Sequence, residues 1–141
     1  MTSNHRKIRV LIGKMGLDGH DRGAIVLSKM LREAGMEIIY TGLFQTQEMI
    51  VETAIQEDVD VVGLSFLSGE QLYYIPRVAK LLKEKGLNDI LLIAGGTIPR
   101  RDIPDLKAAG ISEVFLPGTP IETINNYIRQ NVRKLEEIGN P

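Results

Sequence analysis

The eleven residues from Gly13 to Gly23, GKMGLDGHDRG, bring together a lysine, two aspartates, four glycines and one of the chain's two histidines. Asp18 and His20 stand two apart, so in an extended segment their side chains share a side. A carboxylate in that position takes one imidazole N–H and leaves the other ring nitrogen turned outward as a metal ligand. Two more stretches carry polar, glycine-rich chemistry: SFLSG, Ser65 to Gly69, and GGTIPRR, Gly95 to Arg101. Glycines at 13, 16, 63, 95 and 96 remove side chains around one edge and are expected to open a slot for something flat and large. Taken singly, each feature has an ordinary reading: a solvated histidine, an Asp-Gly turn, a Gly-Gly strand end. Their joint placement is what argues for a site.

That placement depends on the elements around the three stretches. Apolar, β-branched runs at Ile8 to Ile12, Glu37 to Tyr40, Val61 to Ser65, Ile90 to Ala94 and Glu113 to Leu116 read as strands. Helical patterns follow at Gly23 to Ala34, Thr46 to Glu57, Tyr73 to Lys85, Ile103 to Ala109 and Ile121 to Leu135, with Gly35, Gly86 and Gly110 as stops. Near-continuous apolar strands are those buried on both faces, so a parallel sheet is expected with helices on either side. The fold class is α/β: a doubly wound three-layer sandwich, flavodoxin-like, with strand order 2-1-3-4-5. In that order the switch point lies between strands 1 and 3, and ligands bind beyond the carboxyl ends of the strands there. The three stretches meet at that edge. With 141 residues, 43% apolar and 25% charged, the chain reads as one domain over 1–141, with a core of about 7–133 and a loosely held tail at 134–141.

Composition narrows the function. A net charge of -1 with scattered basic residues gives no footprint for nucleic acid or an anionic membrane. No apolar run approaches the ~20 residues that span a bilayer. Without cysteine there are no disulfides or thiolate metal sites, and the polar start MTSNHRK carries no apolar signal segment, so a cytoplasmic location is expected. The glycines at 13, 16 and 19 do not form the dinucleotide fingerprint, and GxxxxGK is absent. A receiver domain would need an aspartate where Ser65 stands, and a flavodoxin would want a hydroxyl-rich loop after strand 1. His5 and His20 are too far apart in sequence, with no cysteine, to suggest zinc.

Asp18-x-His20-x-x-Gly23, forty-one intervening residues, Ser65-x-Leu67, and twenty-seven more to Gly95-Gly96 resemble the bipartite signature of the cobalamin-binding domain family. The resemblance runs from Ile8 to about Arg133 and takes in FLPGTP, Phe115 to Pro120. It implies that cobalamin binds with its dimethylbenzimidazole tail off cobalt and that His20 supplies the lower axial nitrogen. It also implies that Asp18 fixes the His20 tautomer and that Lys14 matches the third member of a His-Asp-Lys relay; read from the residues alone, Lys14 is equally a solvated loop lysine. The tail would thread past Gly63, Gly95 and Gly96, with Ser65 offering a hydroxyl and Leu67 and Ile98 an apolar wall. Thr97 and Thr119 are then phosphate or amide partners. Cofactor contacts are thus expected at Lys14, Leu17, Asp18, Gly19, His20, Asp21, Arg22 and Gly23, at Gly63, Ser65, Phe66 and Leu67, and at Gly95, Gly96, Thr97, Ile98 and Thr119.

Within that family, GLDGHDRG and AGGTIP look like the coenzyme-A carbon-skeleton mutases, such as those acting on methylmalonyl-CoA, isobutyryl-CoA and 2-hydroxyisobutyryl-CoA. A chain of this length cannot hold the (β/α)8 barrel of ~250 residues on which such relatives bind acyl-CoA. The resemblance therefore implies a small subunit binding adenosylcobalamin for an isomerase, inactive alone, with no catalytic residue of its own and a larger barrel-type partner. Leu43, Phe44, Phe66, Ile98 and Pro99 are the apolar residues expected at the docking edge. The alternative is a cobalamin carrier or sensory module with no isomerase partner.

Overall fold

The computed structural model describes residues 6–16, 22–67 and 69–132. Strands β1 (Arg9–Lys14), β2 (Glu37–Tyr40), β3 (Val61–Phe66), β4 (Leu91–Gly96) and β5 (Glu113–Phe115) form one parallel sheet in the order β2-β1-β3-β4-β5. Helices α1 (Arg22–Glu33), α2 (Gln47–Glu57), α3 (Gln71–Glu84), α4 (Ile103–Ala109) and α5 (Ile121–Asn131) alternate with them, a 3-10 turn at Arg100–Asp102 leading into α4. This is the doubly wound, flavodoxin-like sandwich that the sequence predicts.

Alternation along each strand divides the apolar residues between two cores. Val10, Ile12, Val61 and Ile93 point to one face and are buried against Leu31 of α1 and Ile124 and Ile128 of α5. Leu11, Leu64, Leu92 and Ala94 point to the other, against Ile50 of α2, Ile75 and Leu82 of α3 and Leu106 of α4. At the amino ends of the strands the sheet is closed by charge. Buried Asp60 receives two hydrogen bonds from the Arg6 guanidinium, at 2.7 and 2.6 Å, and one from the Arg9 backbone N–H at 2.9 Å. The hydrogen bond to Asp60 raises the Arg6 pKa above its ordinary value.

Several boundaries differ from expectation, and the differences have causes. Thr46 is the cap of α2 rather than its first residue: its hydroxyl oxygen accepts the Met49 N–H at 3.1 Å. α3 starts at Gln71, two residues earlier than predicted, because Glu70 stands at its cap without a side-chain bond and so leaves no capping signature. α5 ends at Asn131; its predicted extension to Leu135 and the tail at 134–141 lie outside the described residues. Most relevant to function, β1 continues through Gly13 and Lys14, where the apolar run has already stopped.

Candidate functional site

That continuation puts Lys14 into the ladder. Register aligns Lys14 with Ser65, Ser65 with Gly95 and Gly95 with Phe115, a row across the carboxyl ends of four strands. One step toward the amino ends, Ile12, Gly63 and Ile93 form the row below it on the same face. In central strands of a parallel sheet these positions normally hold large apolar side chains. Here glycine stands at two of them and serine at a third, so the sheet under α1 and α5 is left uncovered at this end. The space is a cleft of about 630 Å³, within the ~300–1,000 Å³ common for small-molecule sites.

Its floor is Ile12, Gly63 and Ile93; Leu27 and Leu31 of α1 form one wall and Ile121 and Ile124 of α5 the other. Polar groups gather at the upper rim. Lys14 faces the cleft although only 1% of its surface is exposed, so it is a buried strand residue and not a solvated loop lysine. Thr119 donates its hydroxyl hydrogen to the Leu116 carbonyl at 2.6 Å, closing a turn. Its oxygen can still accept, which suits an amide partner better than a phosphate.

The cleft brings together most of the residues assigned from sequence. Lys14, Arg22, Gly23, Gly63, Ser65 and Leu67 line it, as do Gly95, Gly96, Thr97 and Thr119. Phe66 borders it while its side chain is buried in the core on the opposite face. Leu17, Asp18, Gly19, His20 and Asp21 lie outside the described residues. Ile98 does not form the expected apolar wall: it is buried in the α2/α3/α4 core and absent from the cleft lining. The cause is the turn at Gly96, whose φ of +112° and carbonyl contact with the Ile98 N–H at 3.0 Å redirect the chain beneath the sheet.

Two glycines also serve a different purpose from the one expected. A Cβ at Gly13 would run into the side chain of Ile50 on α2, and one at Gly16 would meet the Tyr74 ring and hydroxyl at 2.7 Å. Both point away from the cleft and permit close packing on the other face. Gly63 behaves as anticipated, its missing Cβ lying over the floor 3.2 Å from Ile12 Cδ1. At the loop edge, Phe66 and Ile98 fold inward, while Phe44, at 55%, and Leu67, at 46%, are exposed. Phe44 holds a left-handed φ of +62° beside Gln45, which bonds through its backbone to Lys14 and Gly16.

Sequence reasoning missed the helix walls and Phe115. Val26 and Met30, four apart on α1, are exposed apolar residues that line the cleft, and that spacing was readable as an apolar stripe. Phe115 follows from register, which needs the strand order and not composition. Among the described residues no three His, Cys, Asp or Glu side chains cluster as a metal site, and no helix is long and apolar enough to cross a membrane. The cleft can therefore hold a large, mainly apolar and flat group, gripped at its rim by a cation, hydroxyls and backbone amides.

Comparison with known proteins bears on what that group is. The B12 binding domain family matches residues 8–124. The 2-hydroxyisobutanoyl-CoA mutase small subunit of Aquincola tertiaricarbonis is 52% identical over 125 residues, covering 89% of this chain and 92% of that protein. The pivalyl-CoA mutase small subunit of Xanthobacter autotrophicus is 44% identical over 119 residues, 84% of this chain and 80% of its own. A cobalamin-binding protein from Desulfitobacterium hafniense superposes with a TM-score of 0.78 over 90% of this chain and 60% of its own, at 21% identity, which is a likeness of fold.

Proposed function

Because the chain belongs to the B12 binding domain family, we propose that it is the cobalamin-binding small subunit of an adenosylcobalamin-dependent acyl-CoA mutase. Two small subunits of coenzyme-A mutases match most of its length, and it matches most of theirs. The observation that carries the reading is the double row Ile12–Gly63–Ile93 and Lys14–Ser65–Gly95, where a β-carbon or larger side chain would fill the space. An apolar floor with hydroxyl and cationic groups at its rim fits a methylated benzimidazole ring joined to a polar nucleotide.

On this reading the cleft would hold the tail: Ser65 would offer its hydroxyl to the ring nitrogen, Thr97 would face the phosphate, and Thr119 would accept from an amide at the mouth. His20 would supply the nitrogen that holds cobalt, Asp18 would set its tautomer, and Lys14, at the end of β1, would stabilise that carboxylate. Bound adenosylcobalamin would supply the carbon radical for a 1,2 rearrangement; the chain's own residues bind, orient and shield it. The acyl-CoA site belongs, on this reading, to a larger partner subunit, as the two small-subunit relatives suggest.

Electron paramagnetic resonance of the cob(II)alamin complex tests the assignment. Nitrogen-15 labelling of the protein should change the axial superhyperfine splitting, and His20→Ala should abolish it. A signal unaffected by either would show that the cofactor keeps its own base. Isomerase activity should require the larger subunit; a chain that binds cobalamin but gains no activity with such a subunit would instead be a carrier or sensor.

A further inference from the structure

One polar bond on the closed face of the sheet is made at a cost to both of its partners. Asp102 stands at the cap position of α4, where a side-chain oxygen ordinarily accepts one of the free N–H groups of the helix. It makes no such bond. Its Oδ2 instead accepts a hydrogen bond from Nε2 of Gln71, the first residue of α3, at 3.0 Å. Gln71 is 3% exposed, and its other terminal atom, Oε1, is buried with no hydrogen-bond partner among the described residues. A leucine in its place would carry no such penalty. Nor does the attachment of α4 to α3 hang on this bond, since Leu106 and Ile98 are already buried in one core with Ile75 and Leu82.

The bond fixes the connection between β4 and α4. Residues 96–102 leave the sheet at Gly96, present Thr97 at the rim of the cleft, bury Ile98 on the far face and reach Asp102 through the 3-10 turn. The Thr97 N–H donates to the Phe66 carbonyl at 3.0 Å, which joins this rim to the end of β3 beside Ser65. Exposed Thr97 therefore lies between two anchors, Phe66 on one side and the Gln71–Asp102 bond on the other. We infer that Gln71 and Asp102 are positioning residues for the cleft: their bond holds the 96–102 connection so that Thr97 is in place for the nucleotide tail before the cofactor arrives. The inference rests on the proposed cobalamin function and adds to it two residues outside the sequence signature. Neither lines the cleft; both act through Thr97 and the turn at Gly96.

The test compares Gln71→Leu, Asp102→Ala and Asp102→Asn with the wild-type chain. It reads the thermal midpoint without cofactor and the affinities for adenosylcobalamin and for adenosylcobinamide, the same corrin without its nucleotide tail. Gln71→Leu removes the bond together with the unsatisfied oxygen and frees Asp102 to cap α4, so the midpoint should be unchanged or higher. A rim that must be ordered during binding should weaken adenosylcobalamin by about 10-fold and leave adenosylcobinamide unchanged. Asp102→Ala should shift the ratio of the two affinities in the same way, and Asp102→Asn, which keeps an acceptor for Gln71, should restore it. Amide exchange in the cofactor-free chain should quicken at Thr97 in Gln71→Leu while Ile93, inside β4, keeps its protection.

A merely structural bond predicts a different pattern. Equal weakening of both corrinoids would mean general loosening and would overturn the inference, as would wild-type affinities in Gln71→Leu and Asp102→Ala. Asp102→Asn behaving like Asp102→Ala would show that the carboxylate charge acts and not the bond, and would overturn it too. Should Gln71→Leu fail to fold, the two Asp102 variants decide by the same criteria. If the wild-type chain bound neither corrinoid, the proposed function would fail and this role with it; a wild-type preference for adenosylcobalamin that all three variants retain would sink this role alone.

Discussion

The two faces of the sheet are built from the same strands and are filled to different degrees. Under α2, α3 and α4 the core continues to the carboxyl ends, with Leu64, Phe66, Ala94 and Ile98 all buried. Under α1 and α5 it is complete around Val10, Val61, Leu91 and Ile128 but stops at Gly63, Ser65 and Gly95. Burying a leucine-sized side chain contributes about 1.5–3 kcal/mol, so the open half forgoes several such contributions. A fold selected for stability alone would fill those positions. The asymmetry marks the cleft as volume reserved for a ligand, while the closed face supplies the rigidity that keeps it open.

The largest effect comes from the seam where the faces meet. Gly96 ends β4 at φ +112°, and a β-carbon there would overlap the Phe66 carbonyl oxygen. The obstacle is backbone, which no side-chain rotation relieves. Gly96→Ala should cost on the order of 4 kcal/mol, combining left-handed strain with steric overlap. Thermal unfolding should show it as a fall of more than about 10 °C, with cobalamin binding lost in proportion. A variant with near-wild-type stability would mean that the seam is looser than its geometry indicates.

A matched pair of glycines then separates the faces. Gly63→Leu projects into the cleft, its β-carbon meeting the flexible end of Ile12 at 3.2 Å. It should lower cobalamin affinity by at least ~100-fold, about 2.7 kcal/mol, while changing stability by under ~1 kcal/mol. Gly13→Ala, on the neighbouring strand and the other face, pushes against Ile50. Overpacking of this kind costs about 1–3 kcal/mol of stability, and binding by the folded fraction should be unchanged. Calorimetric titration beside denaturant unfolding reads both quantities; equal losses of affinity in the two variants would erase the distinction between the faces.

Sequence made the filled regions legible more readily than the open one. Periodicity and glycine stops locate the five strands and five α-helices of the described residues, because apolar runs report burial directly. Lys14 reads as a loop residue for the same reason: the rule follows apolar residues, and β1 continues after they end. Ile98 reads as a cleft residue from its neighbours in GGTIP, since motif adjacency says nothing about the reversal at Gly96. Gly13 and Gly16 read as part of the slot because composition cannot tell which face a missing side chain serves. Phe115 is brought to the row by register with Gly95, a relation between residues far apart in sequence.

The smallest effect tests the closed face at its nearest approach to the site. Tyr74 packs against the α2/α3/α4 core, and burial, followed by the charge of Glu70, raises the pKa of its phenol above the ordinary ~10. The folded state therefore holds the proton more tightly than the unfolded state does. Its contribution is fully present below pH ~10 and is lost as pH rises through the higher folded value. Tyr74→Phe keeps the ring and removes the titration. Measured by urea unfolding at neutral pH and again above pH ~10, the wild-type chain should lose more stability than the variant over that step. The same substitution leaves the floor and rim of the cleft untouched, so affinity at neutral pH should fall far less than in Gly63→Leu. Parallel stability losses in wild type and variant would show that Tyr74 is solvated, and that the closed face is less tightly sealed beside Gly16 than on the rest of its surface.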